Sequence, residues 1–232
     1  IEHIECYNDI DDLKDTFLQF ANSVPFYGTV CACKDSNNVA SILSKIDKPI
    51  ITYGIDSQNV DIKAENLHQE NGTISFDVKV KDQIFSVNLS VPGKYNAYNA
   101  LAALSVCETM GIDLESACKA LSNFSGVKRR FDIKANKDIM IIDDYAHHPV
   151  EVQNVIETVK SNWNKNLNVI FQPHLFSRTK EFYKDFAKAL MIADNVMITE
   201  IFGSREKEDN STTSDLIINE MLKLNHKNVS YV

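Results

Sequence analysis

Ile139-Met140-Ile141-Ile142, Leu167-Asn168-Val169-Ile170-Phe171 and Val196-Met197-Ile198-Thr199 are three short apolar runs, spaced about 28 residues apart. Each is rich in β-branched residues and too short for a helix, so each predicts a buried strand. A polar loop follows each run: Asp143 to His148, Gln172 to Arg178, and Glu200 to Asn210. A helical pattern follows each loop. Pro149 suits the first turn of the first helix, because its φ is preset and its missing amide would have no partner there. Thr179-Lys180-Glu181-Phe182 opens the second, and Ser211 to Ser214 caps the third ahead of Asp215-Leu216-Ile217-Ile218. Strand, loop and helix three times over predict βαβ units and a parallel sheet. Ligands gather at the carboxyl ends of such strands. Asp143, Asp144, His147, His148, His174, Arg178 and Glu200 are therefore expected on one rim.

Outward from this stretch the pattern changes. Asp9 to Val24 has helical spacing. Thr29 to Cys33 and Pro49 to Tyr53 read as strands around a short helix, Asn38 to Ser44. Val60 to Leu67, Thr73 to Val80 and Ile84 to Val91 alternate apolar and polar residues, with Asn71-Gly72 as a hairpin turn. Helices are predicted at Asn96 to Met110 and Leu114 to Leu121, divided by Gly111. The change from meander to βαβ units places a domain boundary at Phe131, giving domains 1–131 and 132–232. The fold class is α/β.

Composition narrows the function. With 44% hydrophobic and 24% charged residues among 232, the chain is globular rather than disordered. Lys and Arg number 24 against 32 Asp and Glu, a net charge of −8, which argues against nucleic acid as a partner. No apolar run has the length of a membrane span. Five cysteines, an odd count with no Cys-x-x-Cys spacing, indicate neither a disulfide framework nor a zinc ribbon, and the cytoplasm is the expected compartment.

Four segments carry candidate chemistry. Asp143-Asp144-Tyr145-Ala146-His147-His148-Pro149 sets two carboxylates and two imidazoles at a strand end. They can bind a metal, orient a ribose or move protons, or else the Asp residues cap the next helix. In Gln172 to Thr179, Arg178 lies one residue before the expected helix start, where an anion can be held. The alternative is a surface arginine beside a solvated histidine. Asn96 and Asn99, three apart, share a helical face and offer the donor and acceptor that an adenine edge requires, unless Asn96 is an N-cap. Lys128-Arg129-Arg130 either reaches phosphates or is solvated surface. His3 lies between Glu2 and Glu5, a weak signal alone. Gly93-Lys94 is no Walker A motif.

Asp143 to Pro149 resembles a signature of the Mur ligases, most of all the branch that uses L-alanine. Gly126 to Phe131, Gln172 to Thr179, Glu200 to Lys207 and the Asn96/Asn99 helix follow in the family's order, so the resemblance covers the whole chain. It implies a partial central ATPase domain, a mixed sheet with helices, followed by a Rossmann-like parallel-sheet C-terminal domain. It implies ATP-dependent amide formation between UDP-N-acetylmuramate and L-alanine through an acyl phosphate, with ATP and Mg²⁺. By motif position Asn96 and Asn99 contact adenine, Arg130 the phosphates, and Asp144 and Tyr145 the nucleotide or its neighbourhood. His3 becomes a Mg²⁺ ligand. Tyr145, His147, His174 and Arg178 form the alanine and acyl-phosphate pocket. The family's glycine-rich phosphate loop and sugar domain are expected ahead of Ile1, and further chain beyond Val232, so this stretch alone is expected to lack ligase activity. Leu175 and Tyr95 stand where relatives carry Arg and His. Three other readings compete: a recycling ligase that attaches a tripeptide to the same sugar acid, a two-metal phosphoesterase on Asp143, Asp144, His147 and His148, and a nucleotide-sensing module.

Overall fold

The computed structural model describes residues 6–232. The chain divides into two compact units, Ile1–Gly126 and Val127–Val232. The first opens with helix α1 (Ile10–Asn22), whose N-cap Asp9 accepts from the amides of Asp11 and Asp12. A five-stranded sheet follows in the order β1 (Val30–Cys33), β2 (Ile50–Gly54), β3 (Ile62–Glu70), β4 (Thr73–Val80), β5 (Gln83–Leu89). The first three strands are parallel and the last three antiparallel. Instead of one helix at Asn38 to Ser44, a four-residue helix α2 (Asn37–Ala40) gives way to a 3-10 turn at Leu43–Lys45.

The alternation of β4 turns Ile74, Phe76 and Val78 inward, where they meet Leu101 and Leu104 of α3 (Lys94–Thr109) and Cys118 of α4 (Leu114–Ser122). Burying each large apolar side chain contributes about 1.5–3 kcal/mol. Asn71 and Gly72 both have positive φ, 52° and 82°, as a two-residue hairpin turn matched to strand twist requires.

The second unit departs from three equal βαβ units. The Ile139 run forms β7 (Met140–Asp143), which pairs antiparallel with β6 (Asp132–Asn136), a strand the sequence did not announce. Ile139 and Ile141 are exposed, so this run is not the buried strand expected. A short apolar run fixes neither its partner nor its direction, and Asp132-Ile-Lys-Ala-Asn136 is too polar to read as a strand. The parallel sheet has the order β10-β9-β8: β8 (Asn168–Phe171), β9 (Asn195–Ile198) and β10 (Val229–Tyr231). Helices α5 (Pro149–Asn162), α6 (Phe176–Leu190) and α7 (Asp215–Lys223) complete the unit. Phe186, Leu190, Val196, Ile198, Ile217 and Met221 form its centre. Ser214 stands at the N-cap position of α7 but makes no side-chain cap; its hydroxyl donates to the Thr199 carbonyl, tying α7 to the end of β9. Among the described residues no helix is long and apolar enough to cross a membrane.

Candidate functional site

The loop after β7 is held from both ends by carboxylates. Asp144 accepts from the amides of Phe131 and Ala146, each at 2.7 Å. Burial pushes its pKa up, against the opposing pull of those amides and of Arg130. Glu151 accepts from the amides of His147 at 3.0 Å and His148 at 3.3 Å, while His148 Nδ1 accepts from Val150. This is a capping box on α5, with Pro149 in the first turn as expected. His148, not an Asp, is the N-cap. The Arg129 guanidinium lies 4.5 Å from the Tyr145 ring centre, and the Tyr145 amide donates to the Arg129 carbonyl. Arg129 and Phe131 both have positive φ, 60° and 49°, a strained turn that Asp144 holds in place. Arg130 points an exposed guanidinium to within 3.7 Å of Glu151.

The loop after β8 is an extension of the sheet. The Phe202 amide donates to the Pro173 carbonyl at 2.8 Å, and the Leu175 amide to the Phe202 carbonyl at 3.0 Å. Leu175, with φ 71°, turns the chain into α6, which begins at Phe176. Arg178 therefore lies inside the first turn rather than before it, and it is buried, 5% exposed. Its Nη1 donates to His174 Nδ1 at 3.1 Å. Glu206 receives the Ser177 amide and hydroxyl, capping α6 from the loop after β9. A Cβ on Gly203 would stand 2.6 Å from the Phe176 ring, so this crossing requires glycine.

These loops bring four expected residues together. The Tyr145 and His147 rings are 5.0 Å apart, His147 and His174 5.7 Å, and His174 and Phe202 5.7 Å. Burial, Arg178 and His147 lower the His174 pKa. Glu200 instead lines a separate cleft beside Tyr231. The twin-carboxylate, twin-histidine segment does not gather the metal ligands expected of it: among the described residues no three His, Cys, Asp or Glu side chains are grouped to hold an ion. The reason is local. Asp144 is committed to two amides, Asp143 lies 4.0 Å from Lys134, and His148 caps α5. His3 lies outside the described residues. Glu151, Phe202 and Glu206 were missed by sequence reasoning, and Arg129 entered it only as one of three cations that either reach phosphates or are solvated. Only Glu151 had a readable signal, the three-residue capping-box spacing from His148.

In the first unit, α3 starts at Lys94 after Gly93, whose φ of 102° no other residue adopts readily. Asn96 is thus not the N-cap. Its amide side chain donates to the Pro92 carbonyl at 2.7 Å, and its Oδ1 accepts from Asn99 at 3.3 Å. Asn99 is exposed beside it. One turn of α3 is tied down by Asp35. This carboxylate accepts from the amides of Ile55 at 2.6 Å, Asp56 at 2.8 Å and Ser57 at 2.7 Å, and from the Tyr98 hydroxyl at 2.9 Å. Burial would raise the Asp35 pKa, but these hydrogen bonds together hold it well below the usual carboxylate range. Lys94 pairs with Asp56 at 3.0 Å. A cleft of about 580 Å³ in this unit is lined by Ile50, Lys63 and Lys81 and includes neither asparagine.

Residues 1–107 match a family model described as Mur ligase middle domain, and residues 129–232 one described as Mur ligase, glutamate ligase domain. The UDP-N-acetylmuramate–L-alanine ligase of Geotalea uraniireducens is 37% identical over 233 residues, covering 100% of this chain and 51% of the relative. That of Clostridium tetani is 38% identical over 227 residues, 97% of this chain and 49% of the relative. The chain thus spans about half the length of the curated relatives it matches. Among solved structures, the UDP-N-acetylmuramate–alanine ligase of Thermotoga maritima superimposes with TM-score 0.76 at 28% identity, over 100% of this chain and 48% of that one. MurF from Acinetobacter baumannii, at 16% identity and TM-score 0.80 over 99% and 48%, shares the fold.

Proposed function

Since the chain belongs to the Mur ligase family, matching its middle and glutamate ligase domains in turn, we propose that the whole protein joins L-alanine to UDP-N-acetylmuramate at the expense of ATP. The observation that carries this reading is the similarity of the entire chain to relatives named for that reaction. The contact of Tyr145, His147 and His174 with one another supports it.

ATP supplies the phosphoryl group that activates the muramate carboxylate as an acyl phosphate. Each unit, taken by itself, presents residues that suit a part of such a ligand. Asn99 exposes a carboxamide with an oxygen still open to an adenine amino group, and Asn96 holds it in place. The Arg130 side chain is 53% exposed and loosely paired, available to an anion. Asp144 steadies the segment that carries Arg130, and each of its oxygens retains a lone pair for the ribose. Tyr145, His147, His174 and Arg178 form the wall against which amine and acyl group meet. Positioning of this kind, with charge neutralisation, is the main demand of phosphoryl transfer. By motif position His3 would be a ligand of the Mg²⁺ expected with ATP. The cytoplasm, where these substrates are made, is the compartment this activity requires.

The test is phosphate release by the protein that contains this chain. We expect it to require ATP, UDP-N-acetylmuramate and L-alanine together. Equal release when L-alanine is omitted, or a preference for a tripeptide, would overturn the assignment.

A further inference from the structure

Helix α3 begins without a side-chain cap. Gly93 stands at the N-cap position with φ 102°, and its amide donates to Gln69 Oε1 at 3.1 Å. A first turn with no capping side chain frays unless something else holds it. Ala97, Leu101 and Leu104 bury one side of the helix on the sheet. Apolar packing is non-directional and sets the rotation of the polar side only coarsely.

A polar clamp supplies the direction. The Tyr98 hydroxyl donates to Asp35 Oδ2 at 2.9 Å and lies 3.3 Å from Asp56 Oδ2. Lys94, one turn earlier on the same face, reaches both oxygens of Asp56, at 3.1 and 3.0 Å. Asp35 and Asp56 follow β1 and β2, at the carboxyl ends of two parallel strands, where ligands gather in such sheets. Asp35 is itself pinned by the amides of Ile55, Asp56 and Ser57, so the hydroxyl docks on a fixed acceptor.

Asn99 is the neighbour of Tyr98, and a relay that starts at a main-chain oxygen sets its carboxamide. The Pro92 carbonyl only accepts, so Asn96 turns Nδ2 toward it at 2.7 Å and its Oδ1 away. That Oδ1 accepts from Asn99 Nδ2 at 3.3 Å, which leaves the oxygen of exposed Asn99 as an open acceptor. An acceptor there matches the 6-amino group of adenine and opposes the 6-oxo group of guanine. A hydrogen bond weakens steeply with misplacement, so this preference depends on where the turn stands.

We infer that Tyr98 is a positioning residue for adenine: with Lys94 it clamps the first turn of α3 to the loops after β1 and β2 and so fixes where Asn99 presents its oxygen. This rests on the reading of Asn99 as an adenine contact.

The experiment measures phosphate release by the full-length protein with ATP and with purine riboside triphosphate, which lacks the 6-amino group. In Tyr98→Phe the ratio of kcat/KM for ATP to that for the analogue should fall about tenfold, through KM for ATP, the weight of one hydrogen bond. KM for UDP-N-acetylmuramate and for L-alanine should stay as in wild type. Lys94→Met, which removes the other arm of the clamp and keeps its stem, should lower the same ratio. Asn99→Ala should abolish the preference, and adding Tyr98→Phe to it should lower the ratio no further. A helix that is merely destabilised would lose both nucleotides equally, and that outcome overturns the inference. So does a ratio unchanged in both Tyr98→Phe and Lys94→Met while Asn99→Ala abolishes it, which leaves Asn99 as an adenine contact. A ratio unchanged in Asn99→Ala overturns that contact and the inference together.

Discussion

Replacing Asp35 by Asn should loosen the turn that anchors α3, and the geometry sets the size of the effect. The carboxylate takes four donors: three through one oxygen, from Ile55, Asp56 and Tyr98, and one through the other, from the Ser57 amide. Asn has one acceptor oxygen. Its amino group must face either the Ser57 amide or the Ile55–Asp56 pair, donor against donor. Hydrogen bonds to a charged acceptor contribute about 1.5–3 kcal/mol each, and an unmatched donor costs about 1–3 kcal/mol. Asp35 is half-buried, so water relieves part of this, and we expect a loss of about 2 kcal/mol at pH 7. The sign of the pH dependence is fixed. The folded pKa lies below the unfolded value of about 3.9, so the stabilisation is complete above that value and is lost as pH falls toward the folded one. The difference between wild type and Asp35→Asn in urea denaturation should therefore be constant above about pH 5 and shrink below about pH 4. Hydrogen exchange should localise the change to the amides of 55–57. A variant within about 0.5 kcal/mol of wild type at pH 7, or a difference that grows on acidification, would refute the reasoning.

Other outcomes follow from particular contacts. Phe186→Ala empties a fully buried site in the second unit and should cost about 3–5 kcal/mol, followed through the fluorescence of Trp163 in that unit. In Gly54→Ala the new Cβ would stand 2.6 Å from Asp35 Oδ1, so exchange at 55–57 should accelerate as in Asp35→Asn; unaltered exchange would show that the carboxylate gives way freely. The His174 ring should titrate below 6.5 by NMR and move upward in Arg178→Gln. Its lowered folded pKa makes acid destabilising, so this contribution appears as pH falls below the unfolded value and deepens through the folded one. Glu151→Gln should raise the KM for ATP more than it lowers kcat, since the tether on Arg130 weakens while α5 retains its cap.

What could be read in the sequence was whatever local pattern determines. Thr73 to Val80 alternates and is bracketed by Asn71-Gly72, and the strand stands at those bounds. Pro149 marked the start of α5. Helix α3 begins two residues earlier than expected because Gly93 caps it through backbone conformation, and Lys94 and Tyr95 carry no helical pattern. β6 was illegible, since its residues are mostly polar and half-buried or exposed, and it is defined by its pairing with β7. In the site, residue types announced Tyr145, His147 and His174. They did not announce that Arg178 would be buried. That follows from the pairing of Pro173 and Leu175 with Phe202, a tertiary event that no spacing encodes.

The hydrogen bond that orients His147 comes from the main chain of residue 145, not from its phenol ring. Every amino acid offers the same carbonyl. The aromatic side chain at this position can therefore be exchanged while the imidazole keeps its protonation pattern. The ring and the carbonyl that fixes the imidazole are thus independent parts of a single residue. A library randomised at 145 should leave the hydrogen on Nδ1 of His147 in place, read from the ¹⁵N shifts of that imidazole.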